Sequence, residues 1–147
     1  MKIEKVCDAT ALKTLAILEK DCFGEDAWSQ ETLAAFLEAP VRSAYLLQDQ
    51  EEQVLGYSIV TCIDREAEIE RLGIAQAQRR KNFGKTLLAL LKEHLKLERC
   101  LLEVSAHNQA AIRLYHASGF VVFSTRPAYY NDGSDALMME WKRENDD

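Results

Sequence analysis

The hydrophobic positions along this chain change period several times, and each change marks an element. Residues 3–7 read as a short strand. From Asp8 the spacing turns helical: Leu12, Leu15, Leu18 and Cys22 recur at a helical period, and Asp8 is placed to cap the start. Residues 23–28 read as a loop. Ser29 then caps a second helix bearing Leu33, Phe36 and Leu37, which Pro40 ends. Three strands follow, at 43–48, 54–63 and 67–75, the first two joined by the polar turn Asp49-Gln50-Glu51-Glu52. In the third, Ile69 alternates with Glu68 and Glu70, as in a strand with one wet face. A basic loop, 76–82, leads to an amphipathic helix over 83–97 with Leu87, Leu88, Leu91 and Leu95 on one side. An apolar strand at 100–105 comes next. Asn108 caps a helix that runs to Ser118, with Gly119 just past its end. Strands at 121–124 and 137–141 flank a polar loop over 127–135, and a short charged tail occupies about 143–147.

The order β-α-α-β-β-β-α-β-α-β-β restricts the topology. Short turns make the three consecutive strands antiparallel. The strand–helix–strand over 67–105 is a parallel crossover. A mixed α/β sheet with helices on its faces follows, and no repeat or linker divides the 147 residues.

Composition narrows the function classes. At 48% hydrophobic and 29% charged, the chain is neither disordered nor low-complexity. Its net charge of −6 argues against a direct nucleic-acid partner and favours a cationic one. Cys7, Cys22, Cys62 and Cys100 form no C-x-x-C pair, and no Cys/His spacing suits a metal. His94, His107 and His116 read as surface or capping residues. No run is apolar enough to span a membrane, nor is a secretory leader visible. A cytoplasmic location is expected.

Against this acidic background Arg79, Arg80, Lys81 and Lys85 gather four cations in one short stretch, Gln78-Arg79-Arg80-Lys81-Asn82-Phe83-Gly84-Lys85. The stretch follows a strand and opens a helix, where free backbone N–H groups and the helix dipole favour an anion. Asn82 is a non-glycine residue able to take φ > 0, and Gly84 allows close approach to the backbone. Gly84-Lys85-Thr86 also ends like a nucleotide-binding P-loop, but the first glycine of that motif would fall on Arg79.

Arg79-x-x-Asn82-x-Gly84 resembles the pyrophosphate loop of the GCN5-related N-acetyltransferases (GNAT). Asn108-x-x-Ala111-x-x-Leu114-Tyr115-x-x-x-Gly119-Phe120 resembles the second signature of that superfamily. Leu102-Glu103-Val104-Ser105-Ala106-His107-Asn108, Arg126-x-x-Tyr129-Tyr130, Ala27-Trp28-Ser29 and Asp135-Ala136-x-x-Met139 are similar to the RimI family. That family acetylates the N-terminal alanine of a small-subunit ribosomal protein, the eighteenth. Asn82 stands where a first glycine is usual, Ala27 where a proline is, and Ser134 where a Glu is.

The resemblance implies a GNAT fold: about seven strands, mostly antiparallel, helices on both faces and a splay between the fourth and fifth strands. It implies one domain over 1–147 and acetyl-CoA as cosubstrate, with no metal. Leu72, Gly73 and Ile74, Arg79 to Lys85 as quoted (Phe83 included), and Asn108 would hold the coenzyme. It gives Glu103 the role of general base and Tyr115 that of general acid. Trp28, Arg126, Tyr129 and Tyr130 would meet the acceptor. A small amine or a lysine is an alternative acceptor, and a non-catalytic acyl-CoA-binding module an alternative class. Independently, Tyr115 follows Asn108 by about two helical turns, so the two share a face. A charged Glu103 in an apolar strand must be paired, solvated or functional.

Overall fold

The computed structural model describes residues 1–144. Its elements are β1 (Lys2–Lys5), α1 (Ala9–Phe23), α2 (Gln30–Phe36), β2 (Arg42–Gln48), β3 (Val54–Ile63), β4 (Glu66–Ile74), α3 (Phe83–His94), β5 (Arg99–Ser105), α4 (Gln109–Ala117), β6 (Val121–Arg126) and β7 (Ala136–Lys142). The strands form one sheet in the order β1-β2-β3-β4-β5-β7-β6. Only β4 and β5 are parallel; the other neighbours are antiparallel. This is the mixed α/β GNAT fold expected above. The expected tail at about 143–147 lies largely outside the described residues.

The caps read from the sequence are formed. Asp8 Oδ1 accepts from Ala11 N–H at 2.8 Å, Ser29 Oγ from Thr32 N–H at 3.1 Å, and Asn108 Oδ1 from Ala111 N–H at 3.2 Å. Helix α3 stops at His94, three residues before the apolar pattern does. Lys96 takes φ 51°, and the N–H groups of Lys96 and Leu97 turn back to the carbonyls of Glu93 and Lys92. That is a Schellman ending with lysine in the usual glycine place. Leu97 stays in the core from outside the helix, which is why its spacing looks helical.

Helices cover the sheet on both sides and split the core. Leu87, Leu88 and Leu91 of α3 pack with Ala67, Ile69, Cys100, Leu102 and Val104 on one side. Leu15 and Leu18 of α1 and Leu33 of α2 pack with Ala44, Leu46, Tyr57 and Ile59 on the other. Each leucine or isoleucine among them contributes roughly 1.5–3 kcal/mol when fully buried.

Two details of β4 and β5 open the molecule. Their parallel pairing runs only from Glu66↔Arg99 to Ile69↔Leu102. Beyond it Glu70–Ile74 and Glu103–Ser105 diverge, so the sheet splays. Second, β4 carries an extra residue opposite Ile59 and Val60 of β3: those residues face Arg71 and Ile69, leaving Glu70 between them. The bulge therefore lies at Glu70, and Gly73 pairs regularly with Tyr57. Gly73 is needed for packing. A Cβ there would lie 2.8 Å from both Cys22 Sγ and the Tyr57 ring.

Gly84 has a similar cause. Its Cβ position would fall 2.9 Å from Leu114 Cδ2, so the glycine seats α3 against α4, in addition to any ligand approach. Gly84→Ala should cost about 1–3 kcal/mol by overpacking. Urea unfolding measures this, and an unchanged midpoint would contradict the packing role.

Candidate active site

The splay forms the mouth of a cleft of about 1120 Å³, beyond the roughly 300–1,000 Å³ usual for small-molecule sites. Its lining gathers residues that are far apart in sequence. From β4 come Glu68 to Ile74, from the basic loop and the start of α3 Arg79, Arg80 and Asn82 to Lys85, from β5 Glu103, and from α4 and its cap Tyr115 and Asn108.

The loop side is built to receive an anion. Arg80 and Asn82 both take left-handed φ, 68° and 63°. Asn82 thus keeps the turn that a glycine would make, and its side chain makes no cap. The first N–H of α3 to be bonded is that of Thr86, to the Asn82 carbonyl at 3.2 Å. The N–H groups of Phe83, Gly84 and Lys85 precede it and have no intrahelical acceptor. Arg79 Nε bonds the Ile74 carbonyl at 3.0 Å, which pins the loop to the end of β4. Lys81 is turned away: its amine bonds Gln78 Oε1 at 3.1 Å, and it does not line the cleft.

The other side is acidic. Glu103 accepts from the Tyr130 hydroxyl at 3.0 Å. Glu70 accepts from Thr61 Oγ1 at 3.0 Å. Burial, then the charges of Glu70 and Glu103, raise the Glu68 carboxyl above its ordinary value. These carboxylates repel one another, and a cation among them relieves the repulsion. Tyr115 stands deeper, with its ring 5.8 Å from that of Phe120. Burial, then the Cys100 thiol, pushes its phenol up to about 12, so it stays protonated at neutral pH. Burial and the Glu103 carboxylate likewise push Tyr130 up to about 12.

Of the four residues expected at the acceptor side, only Tyr130 lines the cleft. Tyr129 packs edge-on against it at 5.2 Å, and Arg126 lies 5.5 Å over the exposed Tyr129 ring. Trp28 acts one layer back. Its ring lies 4.5 Å from the Arg71 guanidinium, which does line the cleft. Ser134 is buried, bonded to Ser105 Oγ at 2.8 Å and to Asp132 at 2.6 Å, so that position contributes loop structure and no charge.

Sequence reasoning missed a buried network behind this wall. Glu19 is fully buried and accepts from Tyr57 OH at 2.6 Å, Trp28 N–H at 2.7 Å and Arg71 Nη2 at 3.1 Å. Arg71 Nη2 also donates to the Asp26 carbonyl at 3.1 Å. Burial and then the Glu19 carboxylate hold the Tyr57 phenol far above its usual value. One signal was present: Glu19 follows Leu15 by one helical turn and shares its face. Cys22 was also missed at the cleft. Burial raises its thiol despite Arg79 beside it, and it donates to the Ile74 carbonyl at 3.4 Å, so it is a poor nucleophile. Among the described residues no cluster of His, Cys, Asp and Glu is arranged for a metal, and no helix is long and apolar enough to cross a membrane.

The cleft thus sets an anion cradle at a helix start across a splayed sheet from a group of carboxylates. The profile of the acetyltransferase (GNAT) family matches residues 12–120. This chain belongs to that family. Among solved GNAT-like structures, the ribosomal-protein-S18-alanine N-acetyltransferase from Escherichia coli superposes with a TM-score of 0.84 and 25% identity, covering 99% of this chain and 96% of that one. The spermidine N-acetyltransferase from Vibrio cholerae in complex with CoA and spermine gives 0.77 and 20% identity over 96% and 94%. An uncharacterised protein of Mycobacterium leprae (strain TN) is 29% identical over 130 residues, 84% of this chain. The match spans only 36% of that longer relative. The GNAT family uses acetyl-CoA, and the cleft fits such a ligand: a cavity of ample volume lined by cations and by the free N–H groups at the start of α3.

Proposed function

We propose that this protein transfers the acetyl group of acetyl-CoA to the N-terminal α-amine of a protein. The alanine-starting end of the eighteenth small-subunit ribosomal protein is the acceptor we favour. The observation that carries this reading is the meeting of Glu103, bonded to Tyr130, with Tyr115 in one cleft that begins at the free N–H groups of α3. The Escherichia coli likeness supports the acceptor; the acidic wall supports its positive charge.

In this reading the coenzyme phosphates meet Arg80, Lys85 and the N–H groups at the start of α3. The acceptor enters at the Glu103 side as an ammonium, which cannot attack a thioester. Glu103 takes one proton, directly or through a water. The amine nitrogen then bonds the thioester carbon, the C–S bond breaks, and Tyr115 gives its proton to the departing sulfur. The amine's second proton restores the phenol, so one proton is released overall. An α-amine, with a pKa of about 7.7–8.0, needs far less help than a lysine near 10.4.

Tyr115→Phe should lower kcat by about tenfold or more while acetyl-CoA affinity stays within about twofold. Because the phenol titrates at about 12, the wild-type rate should show no alkaline loss from Tyr115 up to about pH 10. Full activity in Tyr115→Phe would remove its role.

The deciding assay incubates the protein with acetyl-CoA and, separately, alanine-starting peptides, lysine peptides with blocked N-termini, and spermidine. Mass spectrometry reads the products. Acetylation of the alanine peptides alone supports the reading. Product only on spermidine or lysine overturns it in favour of a side-chain or small-amine acceptor, and tight coenzyme binding with no product favours a non-catalytic module.

A further inference from the structure

Arg71 is an unusual residue to find in the wall of this cleft. The bulge at Glu70 is what brings it there, by placing Arg71 on the side of the sheet that carries α1. Its guanidinium lies between two rings, 4.1 Å from Phe23 and 4.5 Å from Trp28. Nη2 is spent on Glu19 and on the Asp26 carbonyl. A guanidinium has five N–H donors. The single donor on Nε is buried without a partner. The two on Nη1 meet no acceptor among the described residues, yet Nη1 is not sealed off like Nε, and Arg71 lines the cleft. Stacking and the bond to Glu19 stop the group from swinging out to water. A donor held rigidly at a cleft wall and left unpaired is suited to a ligand acceptor.

The acceptor read above offers one. An α-aminoacyl terminus carries a carbonyl oxygen one carbon away from the carbon that bears the amine. A polyamine or a lysine side chain carries none near its amine. We propose that Arg71 Nη1 receives the first carbonyl oxygen of the acceptor while the carboxylates beside it receive the amine, so that Arg71 selects α-aminoacyl termini over plain amines. This inference rests on the protein N-terminus reading. Glu19, Phe23 and Trp28 act through Arg71 as positioning residues.

The test uses the full chain and two acceptors: an alanine-starting peptide, and the same peptide with its first amide replaced by a trans-alkene. The alkene keeps the shape and removes the oxygen. Each is measured with the wild type and with Arg71→Lys, which retains a cation for Glu19. The ratio of kcat/KM for peptide over alkene should fall by about tenfold or more in Arg71→Lys, because a site built to bond a polar atom strongly rejects the analogue lacking it. Differences in amine basicity cancel in this comparison, and so does a general structural defect. If Arg71→Lys does not fold, Arg71→Gln combined with Glu19→Gln removes both charges and gives the same comparison. An unchanged ratio in a folded variant overturns the role of Arg71 and leaves the proposed function standing. Absence of product on the peptide with the wild type overturns both.

Discussion

Replacing Glu103 by Gln should lower kcat/KM for an alanine-starting peptide by about a hundredfold or more, the usual span for a lost general base being about 10²–10⁴. Acetyl-CoA affinity should be unchanged, because Glu103 lies on β5, away from the loop cations and the start of α3. Glutamine keeps the shape of the side chain and can still accept the Tyr130 hydroxyl, now 3.0 Å away, so the wall remains in place. What it loses is the ability to carry a proton. The defect should therefore shrink as pH rises past about 8, where the α-amine is already largely neutral. A defect from damaged packing would not shrink in this way. Glu68 and Glu70 stand on the same side of the cleft, so Glu68→Gln is the control for proton transfer by a neighbour. More than about one-third of wild-type activity in Glu103→Gln at pH 7 would move the base elsewhere.

Glu19→Ala should be the most destabilising single change outside the hydrophobic core, at about 3–5 kcal/mol. The carboxylate has no exposed surface and satisfies three donors. Removing it leaves Arg71, whose side chain is 18% exposed, without its countercharge, and the Tyr57 hydroxyl and Trp28 N–H without an acceptor. Native stability is only about 0.05–0.15 kcal/mol per residue, so this loss takes a large share of the whole. The comparison variants separate the causes. Tyr57→Phe removes one bond to a charged group and should cost about 1.5–3 kcal/mol. Glu19→Leu with Arg71→Met and Tyr57→Phe removes the pair and the hydroxyl together and should cost much less than Glu19→Ala alone. Chemical denaturation gives all three values. A Glu19→Ala protein within about 0.5 kcal/mol of wild type would mean the ion pair has no net role, as many exposed pairs have none.

The two details that open the cleft differ in how legible they were. Each strand and helix announces itself by its period, and α1, α2 and α4 also by their caps, because Asp8, Ser29 and Asn108 do locally what their residue types allow. The anion cradle was legible for the same reason, its cations and its αL residue being contiguous. The bulge was visible in principle: Ala67, Ile69 and Leu72 pack on one core, a step of two followed by a step of three. The alternation of Glu68, Ile69 and Glu70 hides that step, and with it the placing of Glu70 and Arg71 side by side in the cleft wall. The Glu19 network joins α1, β3, β4 and the loop before α2, and no local signal encodes a meeting of four elements. Lys81, Trp28, Arg126 and Tyr129 show the converse. Their place in a motif did not reveal where each side chain would find its partner.

The pairing of β5 has a consequence for the making of the protein. On one side β5 is held by β4 over four residue pairs; on the other it is held by β7 over all seven. During synthesis the strand that carries Glu103 emerges well before β7 does. Until residues 136–142 leave the ribosome, that strand has an open edge and the Tyr130 loop has no second anchor. The first half of the chain can pair β1 to β4 vectorially, whereas the half that carries Glu103 and Tyr115 must wait for β7 to insert between β5 and β6, which are already present. The cleft is thus completed late, and a chain truncated within β7 should carry a formed cradle with no acetyltransferase activity.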